Sequence, residues 1–310
     1  MLSREQLIRN LEPPHGRVDV ILDTDAFNEA DDQYALSYLL LSGDKLNTVG
    51  ICAAPFLNAN STSPADGMEK SYLEILKLLG FLHREDLIPK TYRGACGYLP
   101  DERTPVVTDA SAFMVQEARR HSPEHPLYIV SIAAATNVAS AILTDPVAMT
   151  ENCVHVWLGG HATHWVDTAE FNMKQDIAAA RILFGCGAPL VQLPCCGVVS
   201  EFATTGPELE YWLGGKNPLC EYLVKIAVED VESRHPGIAW DRVIWDVTAV
   251  GWLLNENDCM MHSYLRPAPI PQYDCTYSEQ PTRHPIRYVY NIRRYGLMTD
   301  LFRKLAGAAI

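Results

Sequence analysis

Five acids fall close together in the segment ILDTDAFNEADDQYAL: Asp23, Asp25, Glu29, Asp31 and Asp32. They lie between an apolar run and a second segment with apolar residues at helical spacing. Two carboxylates about 5 Å apart repel by roughly 3 kcal/mol at an effective dielectric near 20. Such a group needs protons, solvent or a cation to hold it together. A hard cation takes oxygen ligands from carboxylates, backbone carbonyls and water, and these residues supply that donor type. A simple helix cap explains Asp31 or Asp32, because Asp is a favoured N-cap. It leaves Asp23 and Asp25, at the end of an apolar strand, without a reason. An EF-hand loop does not fit either: with Asp23 at its first position, Phe27 takes the fifth, the sixth is not glycine, and a strand precedes it. A DxD phosphatase, with Asp23 as nucleophile and Mg²⁺ as cofactor, stays open as a rival.

The elements that must position these acids can be read from the same chain. The runs RVDVILDTD, LNTVGICAAP, PLYIVSIAAATN, NCVHVWLGG and APLVQLPCCGVV are continuously apolar and end in small or polar residues. That is the pattern of strands buried on both faces of a parallel sheet. Between them Asp31–Leu41, MEKSYLEILKLLG, SAFMVQEARRH and DIAAARILFG carry helical spacing, with Gly80 as a stop signal. Alternation of this kind predicts an α/β fold with an open, mainly parallel central sheet flanked by helices. LNANSTSPADG reads as a polar loop, and the proline-rich LRPAPIPQYDCTYSEQPTRHP as an ordered crossing loop. Open parallel sheets bind ligands beyond the carboxyl ends of their strands, which is where Asp23 and Asp25 fall.

The chain has 310 residues, 48% hydrophobic and 20% charged, with a formal charge of -13. One domain over residues 1–310 is expected, with a core large enough to need no staple. The negative balance argues against nucleic acid and against an anionic membrane surface as partners. The nine cysteines are scattered, with no CxxC pair. The stretch MLSREQLIRNLEPPHGR has no apolar signal core. A reduced, cytoplasmic protein with free thiols is expected.

Four segments, in order, resemble the inosine-uridine preferring nucleoside hydrolase family. They are ILDTDAFNEADDQYAL, LYIVSIAAATNVASAILTDP, VHVWLGGHATHWVDTAEFNMKQDIAAARILF and VIWDVTAVGWLL. The resemblance implies a Rossmann-like core and a Ca²⁺-dependent N-ribohydrolase that cleaves ribonucleosides to ribose and base. It implies Asp25, Asp32 and Asp246 as metal ligands, with the backbone carbonyl of Thr136. Asp25 would also be the general base on the attacking water. Asp31, Glu170 and Asn172 would hold the ribose, Asn58 would add a contact, and Asp23 would support the metal loop. Family members are usually oligomeric, so a homodimer or homotetramer is expected.

The segments also depart from the family pattern. The acidic loop is longer than usual, contains the extra acid Glu29 and lacks the usual Pro-Gly. Trp245 stands where the family often has the histidine that protonates the leaving base. An indole cannot be a general acid, though it can stack on a base. Of the two histidines in GGHATHWVD, His164 is the first candidate for that proton, or for a contact with the 5′ substituent, and His161 the second. A family member that binds a ribosyl ligand without turning it over is the other rival. For His284 and Arg287 a structural role is expected.

Overall fold

In the computed structural model, which describes residues 2–309, eight strands form the central sheet. In chain order they are β1 (Val18–Thr24), β2 (Leu46–Ala53), β3 (Thr91–Arg93), β4 (Leu127–Ser131), β5 (Cys153–Leu158), β6 (Leu190–Leu193), β7 (Met261–Pro267) and β8 (Pro285–Ile292). Their spatial order is β3-β2-β1-β4-β5-β6-β8-β7. All neighbours are parallel except β8 and β7. The five apolar runs are β1, β2, β4, β5 and β6. Val20 and Leu22 pack on one face of the sheet and Ile21 on the other, in two separate apolar cores. This double burial is why these strands read as continuous apolar runs and not as alternating ones.

The order of the strands reverses at β1, which has β2 on one side and β4 on the other. Asp23 at the end of β1 is in register with Ser131 at the end of β4. The acids therefore sit at a topological switch point, where open α/β sheets leave a crevice.

Some boundaries differ from the sequence reading. The helix after the acidic loop spans Asp32–Leu40, and every one of its residues is buried. It is enclosed by the sheet and neighbouring helices, so its polar positions are covered too. The next helix starts at Pro64, inside the segment read as a loop, because Ser63 caps it by accepting from the Asp66 N–H at 3.1 Å. It also runs past Gly80 to Phe81. The proline-rich segment is not a plain loop. It begins in β7, forms a short antiparallel pair between Ile270–Pro271 and Tyr277–Ser278, and ends in β8. Pro267 is tolerated because β7 is an edge strand, and Pro285 because it is the first residue of β8. All nine cysteines are free thiols. Among the described residues no helix is long and apolar enough to cross a membrane.

Candidate active site

Asp23, Asp25, Asp31 and Asp32 are all buried, although each is an acid. Asp23 is the most fully engaged. Its Oδ2 accepts from Ser131 Oγ at 3.1 Å and its Oδ1 from Asn137 Nδ2 at 2.8 Å. Burial still pushes its pKa up to about 7. A fully buried carboxylate with both oxygens occupied is not placed to attack phosphorus, which removes the geometric basis for the phosphatase reading. Asn137 is the organiser of this end of the sheet: it also donates to the Ala53 carbonyl at 3.2 Å and accepts from the Ala95 N–H at 2.9 Å.

Asp25 is the opposite case. Neither of its carboxylate oxygens has a hydrogen-bond partner, and both are buried. Burial, then the charges of Asp32 and Asp31, raise its pKa well above the ordinary range. A buried carboxylate without a partner is costly unless something else satisfies it.

Asp31 and Asp246 occupy N-cap positions of their helices, Asp32–Leu40 and Val247–Leu253. Neither side chain makes a capping hydrogen bond. Asp31 thus holds the cap position without the capping bond that the sequence suggested for it, and both carboxylates lie beside a third acid, Asp32. One carboxylate oxygen from each of Asp31, Asp32 and Asp246 lies within 4.8 Å of the others. Burial pushes Asp31 up to about 6 and Asp32 up to about 8, and raises Asp246 well above its usual value. Asp32 is steadied by a hydrogen bond from Thr24 Oγ1. Four clustered acids, one of them with no partner, fit a hard cation by donor type and by charge. Thr136 does not cap its helix, of which it is the first residue; its hydroxyl donates to Asp176 Oδ2 at 2.7 Å.

A cavity of about 250 Å³ opens over this cluster. Asp31, Asp246, Glu170, Asn172 and Trp245 border it, and so do Asn28, Glu29, His161, Cys195 and Cys196. No Lys or Arg is among the lining residues. Glu170 is fixed by three backbone donors: the N–H groups of Asn172 at 2.8 Å and of Met173 and Gly160 at 2.9 Å. Asn172 Nδ2 donates to the Leu158 carbonyl at 3.1 Å. Gly160 has φ +71°, and a Cβ there would lie 2.1 Å from the Tyr277 hydroxyl, so only glycine fits this turn.

Asn58 stands behind the wall and not in it, donating to Asn28 Oδ1 at 2.6 Å. His164 is exposed and lies against Gly197, away from the lining, whereas His161 borders the cavity. The Cys196 N–H donates to His161 Nδ1 at 3.2 Å, which leaves the ring proton on Nε2 when the imidazole is neutral. Burial lowers the His161 pKa, which favours that neutral form. Arg287 and His284 are elsewhere: Arg287 Nε donates to the Leu11 carbonyl at 2.8 Å and its guanidinium pairs with Glu12.

Sequence reasoning missed Arg242, Asn28, Asn137 and the Cys195–Cys196 pair. For Arg242 there was a signal: clustered buried acids call for a buried cation, and it precedes Asp246 by four residues.

An acidic cluster that could hold a cation, at the switch point of an α/β sheet and beneath a polar cavity, has the donor set that metal-assisted hydrolysis of a small polar ligand requires. Comparison with known proteins sharpens this. Residues 20–287 match the family model described as inosine-uridine preferring nucleoside hydrolase, and the chain belongs to that family, whose members are N-glycosidases. It is 25% identical to the pyrimidine-specific ribonucleoside hydrolase RihA of Salmonella enteritidis over 259 residues, covering 76% of this chain and 79% of that protein. In fold it is similar to a plant nucleoside hydrolase, PpNRh1, with TM-score 0.72 and 21% identity, over 94% of this chain and 99% of that one. It is also similar to the type III effector protein XopQ, solved with adenosine diphosphate ribose, with TM-score 0.70 and 17% identity over the whole of both chains.

Proposed function

We propose that the protein is a calcium-dependent N-ribohydrolase that releases the base from neutral ribonucleosides. The observation that carries this reading is the convergence of Asp31, Asp32 and Asp246 beside the partnerless carboxylate of Asp25. Asp25, Asp32, Asp246 and the Thr136 carbonyl are the proposed holders of the cation. When bound, it supplies positive charge that orients ribose hydroxyls and makes water more acidic.

The remaining chemistry is assigned to side chains. Asp25, with no hydrogen bond of its own to give up, takes the proton of the attacking water. Asp31 accepts from a ribose hydroxyl. Glu170 and Asn172 hold the sugar, and their rigid backbone anchors keep them from reorganising as the bond breaks. Positive charge grows on the sugar as the N-ribosidic bond opens, and the surrounding carboxylates stabilise it. Trp245 stacks on the base. His161, held with its Nε2–H free, is proposed to protonate or hydrogen-bond the departing base in place of the family's usual histidine. A lining with Glu29, Asp31, Glu170 and Asp246 and no cation favours a neutral nucleoside over a phosphorylated one.

The test is release of base and ribose from a panel of purine and pyrimidine ribonucleosides, with Ca²⁺ and with a chelator. Chelator-sensitive release that disappears in Asp25→Asn supports the reading. Ribose binding with no release from any substrate would favour a non-catalytic ribosyl-binding protein, the role that Trp245 otherwise suggests. We further propose a single domain working as a cytoplasmic homodimer or homotetramer, which light scattering on the purified chain measures for the assembly.

A further inference from the structure

Arg242 lies in the two-residue strand Arg242–Val243, just ahead of the helix that Asp246 leads. Its side chain is only 7% exposed. A buried guanidinium is tolerated when carboxylates surround it, and here three do. Nη2 donates to Asp31 Oδ1 at 3.1 Å and to Glu29 Oε2 at 2.9 Å, and Nη1 donates to Asp230 Oδ2 at 2.9 Å. Arg234, at the end of the helix Pro218–Arg234, closes the network. It pairs with Glu29 Oε1 at 3.2 Å and with Asp230.

The network compensates for what the acidic loop lacks. DTDAFNEADD contains no proline to restrict its backbone, and within it the Asn28 N–H donates to the Asp25 carbonyl at 2.7 Å. The rest of its shape is set from outside. Gln33 Nε2 donates to the Ala26 carbonyl at 2.7 Å, Asn60 Nδ2 to the Asn28 carbonyl at 2.8 Å, and Arg242 grips Glu29 and Asp31 together. A planar guanidinium with several fixed donors can hold two carboxylates at a set angle, and a lysine ammonium cannot.

We propose that Arg242 is a positioning residue of the ribose site, fixing the Asp31 carboxylate and, through the additional acid Glu29, the loop that carries it. This rests on the ribohydrolase reading, because Asp31 is the group proposed to accept from the sugar.

The experiment compares wild type, Arg242→Gln, Arg242→Lys, Asp31→Asn and the double variant Arg242→Gln/Asp31→Asn. KM and kcat are measured on inosine and uridine, and D-ribose binding by calorimetry. Thermal unfolding checks that each variant is folded. Arg242→Gln is expected to raise KM and weaken ribose binding at least tenfold, and Arg242→Lys to recover part of the loss. The double variant is expected to be no worse than Asp31→Asn within twofold. Loss of folded protein alone lowers the active fraction and leaves KM unchanged, so KM separates positioning from stability. A folded Arg242→Gln with KM and ribose affinity within twofold of wild type overturns the proposal. So do losses that multiply in the double variant. If wild type binds ribose but hydrolyses nothing, the hydrolase reading fails and the ribose affinities alone decide the role of Arg242. If it does neither, both fall.

Discussion

Removing the proposed divalent cation should cost this protein far more stability near pH 8 than near pH 5. The sign follows from the raised carboxylate pKa values. Burial, then the charge of Asp31, lifts Asp32 from its ordinary 3.8 to about 8, and burial lifts Asp31 to about 6. A raised folded-state pKa means the folded protein binds the proton more tightly than the unfolded chain. The stability this gives is complete below the unfolded value and is lost as pH rises through the folded one. At ~1.4 kcal/mol per pH unit, going from pH 5 to pH 8 removes about 4 kcal/mol through Asp32 alone. An unfolding entropy of ~2.1 cal/mol/K per residue makes 1 kcal/mol worth roughly 1.5 °C in a chain of 310 residues. The cation-free protein should therefore melt about 6 °C lower at the higher pH. Cation at 1,000 times its Kd restores about 4 kcal/mol, another ~6 °C, but only where the aspartates are ionised. The assay is thermal unfolding across that pH range, in chelator and in excess Ca²⁺. A chelated melting temperature that stays flat or rises with pH would refute the reasoning. So would a Ca²⁺ shift as large near pH 5 as near pH 8.

Three further outcomes are expected. His161→Gln should lower kcat on ribonucleosides by about 10²-fold, yet spare a nitrophenyl riboside, whose leaving group departs without a proton; His164→Gln should spare both substrates, and the reverse pattern reassigns the acid. Asn137→Ala strips a hydrogen bond from Asp23 and an acceptor from the Ala95 N–H, so it should cost about 2–4 kcal/mol by denaturant unfolding; a loss under ~0.5 kcal/mol contradicts its organising role. Gly160→Ala combines a left-handed backbone with a collision against the Tyr277 hydroxyl, which Gln192 Nε2 holds at 2.9 Å, and should cost roughly 3 kcal/mol; wild-type stability in that variant would show that the turn can relax.

The strands were legible because a parallel sheet covered on both faces demands continuous apolar runs, and a run such as VDVIL can hardly be anything else at that length. The helix spans were less so. Gly80 carries a stop signal that the helix Pro64–Phe81 overrides, since a single glycine costs less than the packing gained by continuing. The acids at the rim were legible as a group from their number and from their place at a strand end.

The sequence alone determined the α/β class, the strand ends that carry the acids, and the kind of chemistry that oxygen ligands and a strained negative cluster allow. Its segments also placed the chain in its family. Tertiary structure decided which acids do what. Asp23 and Asp25 are two residues apart, yet one has both oxygens occupied and the other has none, because Ser131 and Asn137 reach only the first. Asp246 joins Asp31 and Asp32 from more than two hundred residues away, and Arg242 reaches Glu29 and Asp31 across a similar span. His161 borders the cavity and His164 does not, though only two residues lie between them. Spacing along the chain sets which residues are neighbours within an element. Which elements meet, and which atoms are left without partners where they meet, is fixed only when the sheet closes its switch point around the buried charges.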